Sequence, residues 1–151
     1  MAWALHELGV IADSSDPEAA TMLAESLTIH VQLGDRWRAA SVLETIAGRC
    51  AGSAPGDAAR LLAASHRLRQ ALATPVPPAE RPTHDAALAS AQAALGAAGF
   101  TQCWDEGLSL SLDAAVELAR RAAGHLQTGG FDTAAGARYG LTERETTPPA
   151  A

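Results

Sequence analysis

The side chains that could support catalysis or bind a metal are scattered along this chain. The five histidines stand at positions 6, 30, 66, 84 and 125, and no two of them share a helical turn. His6-Glu7 begins like the zinc-protease motif HExxH, but position 10 is Val10, so the second imidazole is missing. The spacing predicts no metal site, and we expect the histidines at the surface or at the boundary of the core.

Two other short motifs come close to catalytic patterns without completing them. Gly107-Leu108-Ser109 is not followed by the rest of a nucleophile elbow, and no strand pattern precedes it to hold a strained serine. Asp105 and Glu106 are adjacent, so on a helix their carboxylates point to different sides and cannot work as an acid and base pair. We therefore predict that the chain is not an enzyme and uses no cofactor.

The charged residues exclude two further classes of function. All 11 cationic side chains are arginine, and with 17 acidic side chains the net charge is -6. A phosphate-binding Walker loop needs a lysine, and a nucleic-acid-binding protein normally needs a basic stripe. Arg60, Arg67 and Arg69 form one candidate basic strip, for which solvation is the default interpretation and an acidic partner or a neighbouring helix is the alternative.

The cysteines and the N-terminal residues indicate a reducing compartment. Cys50 and Cys103 are far apart and outside any CxxC or zinc-binding spacing, so the sequence implies no disulfide framework. The first residues lack the positive start and apolar run of a signal peptide, and no window of about 18 apolar residues could span a membrane. We therefore expect a cytoplasmic protein.

The elements that position these residues are predicted to be helices throughout. Apolar residues recur at helical spacing, β-branched runs are absent, and 151 residues are the usual size of one domain. Asp35 stands as a helix N-cap directly after Gly34, and the helix entered through Pro55 ends before Pro75. After a proline-rich connector, we expect a fifth helix over 83–95 that stops at Gly96, a short sixth helix near 100–106, and a seventh with Ser111 as N-cap.

The first two helical segments are repeated by the next two. A shift of 39 residues places Glu18, Ala19, Met22, Leu23, Ser26, Ile29 and Leu33 on Asp57, Ala58, Leu61, Leu62, Ser65, Leu68 and Leu72. A shift of 38 residues places Leu5, Leu8, Gly9 and Ala12 on Leu43, Ile46, Ala47 and Cys50. The extra residue falls in the turn, so the pattern predicts a duplicated helical hairpin close in length to a tetratricopeptide unit.

These patterns predict an all-α fold of antiparallel helix hairpins, stacked as a short tetratricopeptide-like α-solenoid with irregular C-terminal helices. The expected divisions are two hairpin repeats over residues 1–73, a connector over 74–82, further helices of the same domain over 83–126, and a flexible tail over 127–151. The first helix has no capping residue, and Leu5, Val10 and Ile11 are expected to leave apolar surface open there. This edge would favour self-association or docking onto upstream repeats.

Four stretches with a characteristic order are Leu33-Gly34-Asp35-Arg36-Trp37, Ala58-Ala59-Arg60-Leu61-Leu62-Ala63-Ala64, Pro77-Pro78-Ala79-Glu80-Arg81 and Ser109-Leu110-Ser111-Leu112-Asp113-Ala114-Ala115. From about Ala2 to Arg121 the chain thereby resembles the C-terminal helical-repeat region of large ATP-binding bacterial transcriptional regulators, of the LuxR type and their SARP-like relatives. Gly140-Leu141-Thr142-Glu143-Arg144-Glu145 looks like the opening of a LuxR-type DNA-binding domain, but Thr146-Thr147-Pro148-Pro149 replaces its expected first helix. The resemblance implies a place in transcriptional control, without the ATPase and helix-turn-helix domains.

The resemblance implies a non-catalytic module for protein interaction or interdomain coupling, whose partner is another protein or the missing domains of the same regulator. Direct DNA binding by this chain and membrane association are not expected. In such repeats the first helix of each hairpin lines the concave side, which makes Trp3, His6, Glu7, Ser41, Glu44 and Thr45 the candidate groove. The alternative is a small-molecule effector-sensing domain, with the effector near Trp37 and Trp104, although tryptophans in helical repeats are more often core anchors.

Overall fold

The computed structural model describes residues 1–12 and 16–139, with side chains up to residue 127. It contains six helices and no strand in these ranges, which confirms the predicted all-helical class. The helices are α1 (Ala2–Ile11), α2 (Pro17–Gln32), α3 (Arg36–Cys50), α4 (Pro55–Leu72), α5 (Arg81–Leu108) and α6 (Leu112–Tyr139). Within the described part of the chain, no helix is both long and apolar enough to cross a membrane.

The helix starts follow from local capping chemistry. The Asp35 carboxylate accepts a 3.2 Å hydrogen bond from the backbone N–H of Arg38, and the Ser111 hydroxyl accepts a 3.1 Å bond from that of Ala114. Gly34 has φ +73°, a left-handed conformation that glycine adopts without strain, so the chain turns sharply between α2 and α3. Both predicted N-caps are thereby confirmed.

The fifth and sixth predicted helices are halves of one kinked helix. Gly96 has φ +70° and ψ 172°, which is non-helical, but helix continues on both sides of it within α5. The helix begins at Arg81 rather than at Thr83, because Pro82 is tolerated in a first turn, where its missing N–H has no role. The second half extends to Leu108, so the predicted short sixth helix over 100–106 was too short.

The last helix also runs further than the sequence indicated. The predicted tail starts at residue 127, whereas α6 continues to Tyr139. Polar contacts join α6 to α2: Arg120 donates a 2.9 Å bond to the Thr28 hydroxyl, and Gln127 donates to the Thr21 hydroxyl at 2.6 Å and to the carbonyl of Pro17 at 3.5 Å. Residues 140–151, which include the stretch similar to a LuxR-type domain, lie outside the described residues.

Helix α3 lies at the centre of the molecule and contacts each of the other five helices. Its apolar side chains share one core with residues of α2, α4, α5 and α6; the members with no exposed surface are Leu23, Leu27, Ala39, Val42, Leu43, Ile46, Ala47, Ala58, Leu61, Leu62 and Ala119. At about 25 cal/mol per Å² of apolar surface, burial of this kind is the main stabilising term for such a fold.

Helices α1 and α2 pack closely because of a small residue. A Cβ at Gly9 would lie 2.8 Å from Cγ of Leu23, so any larger side chain would push the two helices apart. Helix α1 also meets α3, since Arg49 Nη2 donates to the carbonyl of Gly9 and, at 2.8 Å, to that of Ala12.

Candidate functional site

The six candidate groove residues lie on two helices. Trp3, His6 and Glu7 are on α1, and Ser41, Glu44 and Thr45 are on α3. Trp3 is half-buried, with its ring 4.8 Å from the His6 ring and under the guanidinium of Arg38, and Glu7 is exposed. His6 is only 3% exposed, and its Nε2 lies 2.9 Å from Oγ1 of Thr45. These contacts join α1 to α3 but leave little of this part of α1 open to a partner.

Ser41 and Glu44 belong to a buried polar network between α3 and α4. Arg69 donates from Nε to Oε1 of Glu44 at 2.6 Å and from Nη2 to Oε2 at 2.7 Å, and it also reaches the Ser41 hydroxyl at 3.0 Å. The Ser65 hydroxyl adds a 2.5 Å bond to Oε1 of Glu44. Because His6, Ser41 and Glu44 are all buried, they cannot line an open groove, and the groove expectation is corrected for these three residues.

The three arginines of the candidate basic strip do not share a surface. Arg69 is buried with Glu44, as described above. Arg60 donates from Nε to Glu106 at 2.7 Å and from Nη1 to Asp57 at 3.2 Å, whereas exposed Arg67 donates to the carbonyl of Leu108 at 2.9 Å. Arg60 and Arg67 thus bind a neighbouring helix, which was the alternative to solvation, because Glu106 and Leu108 belong to α5.

The first hairpin holds two buried histidines at positions that correspond to the ion pair of the second. The repeat offset of 38 residues places His6 on Glu44, and the offset of 39 places His30 on Arg69. His30 is 3% exposed, and its Nδ1 lies 3.5 Å from Oδ2 of Asp35, too far for a good hydrogen bond. Neither His30 nitrogen has a hydrogen-bond partner among the described residues.

Burial keeps both histidines neutral. It lowers the pKa of His6 to about 4, and the nearby His30 contributes a smaller effect in the same direction. Burial also lowers the pKa of His30, which outweighs the opposing attraction of the Asp35 carboxylate. Desolvation disfavours the charged imidazolium, so a proton binds to this pair only under acidic conditions.

Helix α1 presents an apolar face that nothing in the described structure covers. Leu8 is 52% exposed, Val10 50% and Ile11 78%. The repeat-equivalent of Leu8 is Ile46, which is fully buried by the neighbours of α3. The expectation of open apolar surface is confirmed for Val10 and Ile11, whereas Leu5 is half-buried. Leu8 was not among the residues predicted to be exposed.

The described residues line two clefts that are open to solvent. One of about 240 Å³ lies between α2 and α6 and is lined by Thr28, Val31, Gln32, Asp113, Val116, Glu117 and Arg120. The other, of about 370 Å³, adjoins the end of α4. Trp104 lines neither of them, because it packs against the core with its ring 5.6 Å from that of Phe100, as expected of a core anchor. Trp37 is 37% exposed and lines neither cleft.

The remaining reactive groups are dispersed. No cluster of three or more histidine, cysteine or carboxylate side chains that could hold a metal occurs among the described residues. Cys50 is buried, and burial raises the pKa of its thiol to about 12, which makes it a poor nucleophile. Cys103 is buried in a separate cluster with Ala59 and Ala91.

Comparison with protein-family models, with curated proteins and with solved structures finds no match to this chain. The proposals below rest on two features of the described residues: the exposed apolar side chains of α1, and the buried polar pairs His6/His30 and Glu44/Arg69.

Proposed function

We propose that this chain is a non-catalytic helical-repeat module that binds a helix of another protein segment along α1. In this proposal the hairpins α1–α2 and α3–α4 are consecutive tetratricopeptide-like repeats, and α1 is the open end of the stack. We define the docking face as Leu8 and Ile11, which lie one turn apart on α1 and are both at least half exposed. A terminal repeat normally has a polar outer face, and this one does not.

The observation that supports the proposal is the difference in burial between matched positions of the two hairpins. Leu23 and its equivalent Leu62 are both fully buried. Leu8, in contrast, is 52% exposed where its equivalent Ile46 is fully buried. The hairpins therefore share their internal packing, and they differ on the side where α3 has neighbours and α1 has none.

The duplication also indicates what kind of partner fits. Helix α3 packs against α2, the helix that precedes it along the chain. By the repeat relation, the helix suited to α1 is of the α2 type: amphipathic, with Leu23 and Leu27 as its model apolar contacts. Such a helix would belong to a preceding hairpin, which agrees with the resemblance to the repeat region of LuxR-type regulators and would give the chain a role in coupling the domains of such a regulator.

The docking face can be tested by self-association, since an open apolar face also favours contact between copies. We expect concentration-dependent association in sedimentation velocity and binding of an apolar dye, both lost in Ile11→Glu. Leu33→Glu is the matched control, because Leu33 is similarly exposed, at 73%, but lies at the end of α2. A monomer at all concentrations without dye binding, or equal effects of the two substitutions, would contradict the proposal.

A small-molecule sensor is the second candidate, and the cleft between α2 and α6 is the observation in its favour. It lies between the repeats and the C-terminal helices, and Arg120 and Thr28 supply polar groups at its wall. Its volume of about 240 Å³ is below the roughly 300–1,000 Å³ common for ligand pockets. We therefore rank this function second.

A further inference from the structure

The two hairpins place different chemistry at one structural position. In the second hairpin, Glu44 of α3 and Arg69 of α4 form a buried ion pair of opposite charges. In the first hairpin, the corresponding residues are His6 of α1 and His30 of α2, both 3% exposed. A proton has little effect on a carboxylate–guanidinium pair at moderate pH, whereas it converts two neutral imidazoles into two like charges.

The hydrogen bonds around His6 determine where that proton would go. Thr45 donates its hydroxyl proton to the carbonyl of Ser41 at 3.0 Å, so towards His6 its oxygen acts as an acceptor. His6 therefore donates from Nε2 to Thr45, and Nδ1 is the unprotonated nitrogen. Nδ1 is buried and has no hydrogen-bond partner among the described residues, so protonation would create a charged donor without an acceptor.

The charged groups around the pair do not supply the missing acceptor. On the α3 side, Asp35 faces His30 but is already bound at 3.0 Å by Arg38, which adds a positive charge. Arg49 of α3 approaches the C-terminal end of α1. On α1, Glu7 is exposed to solvent, and the terminal amino group further disfavours a proton on His30.

Helix α1 is also attached by few bonds. Apart from its apolar packing on α2, the described residues that hold it are Thr45, bonded to His6, and Ser26, whose hydroxyl donates to the carbonyl of Ala2 at 2.8 Å. Arg38, over the ring of Trp3, and Arg49, at the other end of the helix, add to these contacts. Its apolar side chains Leu8, Val10 and Ile11 contribute little, because they are at least half exposed. A change at His6 thus acts on one of the few contacts that fix this helix.

We propose that His6 and His30 form an acid-sensitive latch, which holds α1 on the first hairpin while both are neutral and releases it when they are protonated. The second hairpin has Glu44 and Arg69 at the corresponding positions and therefore lacks this pair of imidazoles. The latch goes beyond the proposed docking function and does not depend on it, since it concerns how α1 is held and not what binds to it.

The test is amide hydrogen exchange of the full chain at pH 7.0 and pH 4.5, corrected for the intrinsic pH dependence of exchange. With the pKa of His6 at about 4 in place and 6.5 when released, opening of α1 should increase on the order of 50- to 100-fold at pH 4.5 from His6 alone. We expect this loss of protection in residues 2–11 and a much smaller one in α3 and α4.

Three variants distinguish the latch from general acid unfolding. His6→Gln retains a donor towards Thr45 and does not titrate, so α1 should keep its protection at pH 4.5. The double change His6→Glu with His30→Arg transfers the pair of the second hairpin to the first and should have the same effect. His84→Gln, a change in α5 away from the pair, should behave as the unaltered chain.

Either of two results would overturn the proposal. Unchanged protection of α1 at pH 4.5 in the unaltered chain would exclude the latch, and so would a loss of protection of the same size in His6→Gln. Because the single change to glutamine answers the question, the outcome does not depend on whether the double variant folds.

Discussion

Glu44 and Arg69 form a bidentate ion pair inside the protein, with Nε–Oε1 and Nη2–Oε2 distances of 2.6 and 2.7 Å. The pair joins α3 to α4, and Ser41 and Ser65 provide further hydrogen bonds to it. Removing two charges from water is costly, and the pair recovers this cost only because almost every polar atom has a partner. The single exception is Nη1 of Arg69, which has none among the described residues.

Loss of one member of this pair should be strongly destabilising. Arg69→Met leaves the Glu44 carboxylate buried without its cation, and we expect the free energy of unfolding to fall by about 3–5 kcal/mol. Urea denaturation at pH 7 measures this. The double change Glu44→Leu with Arg69→Met removes both charges and should cost less than the single change. If the double variant is the less stable one, Glu44 stabilises the fold even without Arg69, and the prediction is wrong.

Truncation of matched core leucines tests the repeat relation. Leu23 of α2 and Leu62 of α4 are fully buried, so each change to alanine should destabilise the protein by about 2–5 kcal/mol. Leu33 and Leu72 are matched to each other at exposed ends of the same helices, and their replacement should cost much less. A loss below about 0.5 kcal/mol for Leu62→Ala would place that side chain outside the core.

Local signals in the sequence determined most of the helix boundaries. Asp35 and Ser111 act as N-caps as predicted, because capping depends on residues two or three positions away. Gly96 was expected to end a helix, and it does break the helical geometry, but helix resumes directly after it. A glycine indicates where a helix is interrupted, and only tertiary packing decides whether a new direction or a loop follows.

The candidate site could be predicted only in part, because its partners are distant in sequence. Glu44 was expected on an open face, since it lies opposite the apolar stripe of α3. The Glu44 carboxylate is buried because it pairs with Arg69, which is 25 residues away, and no local spacing in the sequence indicates that pairing. The repeat offsets do contain the signal: applied to polar as well as apolar residues, they match His6 with Glu44 and His30 with Arg69.

The contact between α5 and α4 at Gly107 should tolerate no side chain. A Cβ there would lie 2.4 Å from the carbonyl oxygen of Arg60 and 2.7 Å from Cβ of Ala63, so Gly107→Ala forces the helices apart. We expect a loss of about 1–3 kcal/mol in thermal or urea unfolding. Gly124→Ala is the control: in α6 a Cβ meets no described atom within 4 Å, and the change should stabilise the helix by about 0.5–1 kcal/mol.

The stability of the protein should decrease in acid, in part because of His6. Its pKa is about 4 in the folded state and 6.5 when exposed, so between these values the unfolded state binds more protons. The neutral form of His6 therefore contributes fully to the free energy of unfolding above pH 6.5. This contribution, up to about 3 kcal/mol, is lost as the pH falls towards 4.

The contribution of His6 can be separated from that of the carboxylates by difference. The pKa of Glu106, lowered chiefly by its bond from Arg60, adds acid sensitivity to every variant alike. Urea unfolding of the unaltered chain and of His6→Gln between pH 7 and pH 4.5 should therefore show the stabilities converging or crossing as the pH falls. If the stability of His6→Gln instead runs parallel to that of the unaltered chain, His6 does not titrate with folding.

Finally, we expect that this chain alone neither shifts duplex DNA nor hydrolyses ATP, even if the proposed relation to transcriptional regulators is correct. Sequence-specific binding needs a recognition element in a groove together with phosphate contacts, and the net charge of -6 opposes approach to a polyanion. The arginines of α4 are occupied, since Arg60 binds Glu106 and Asp57 and Arg69 binds Glu44. ATP hydrolysis is not expected, because the sequence has no glycine-rich loop with a lysine.

A gel shift at low salt is the most permissive test of DNA binding, since weak phosphate contacts are strongest there. A shift at micromolar protein that Arg60→Ala and Arg67→Ala abolish would make α4 a nucleic-acid surface and would contradict the interaction-module proposal.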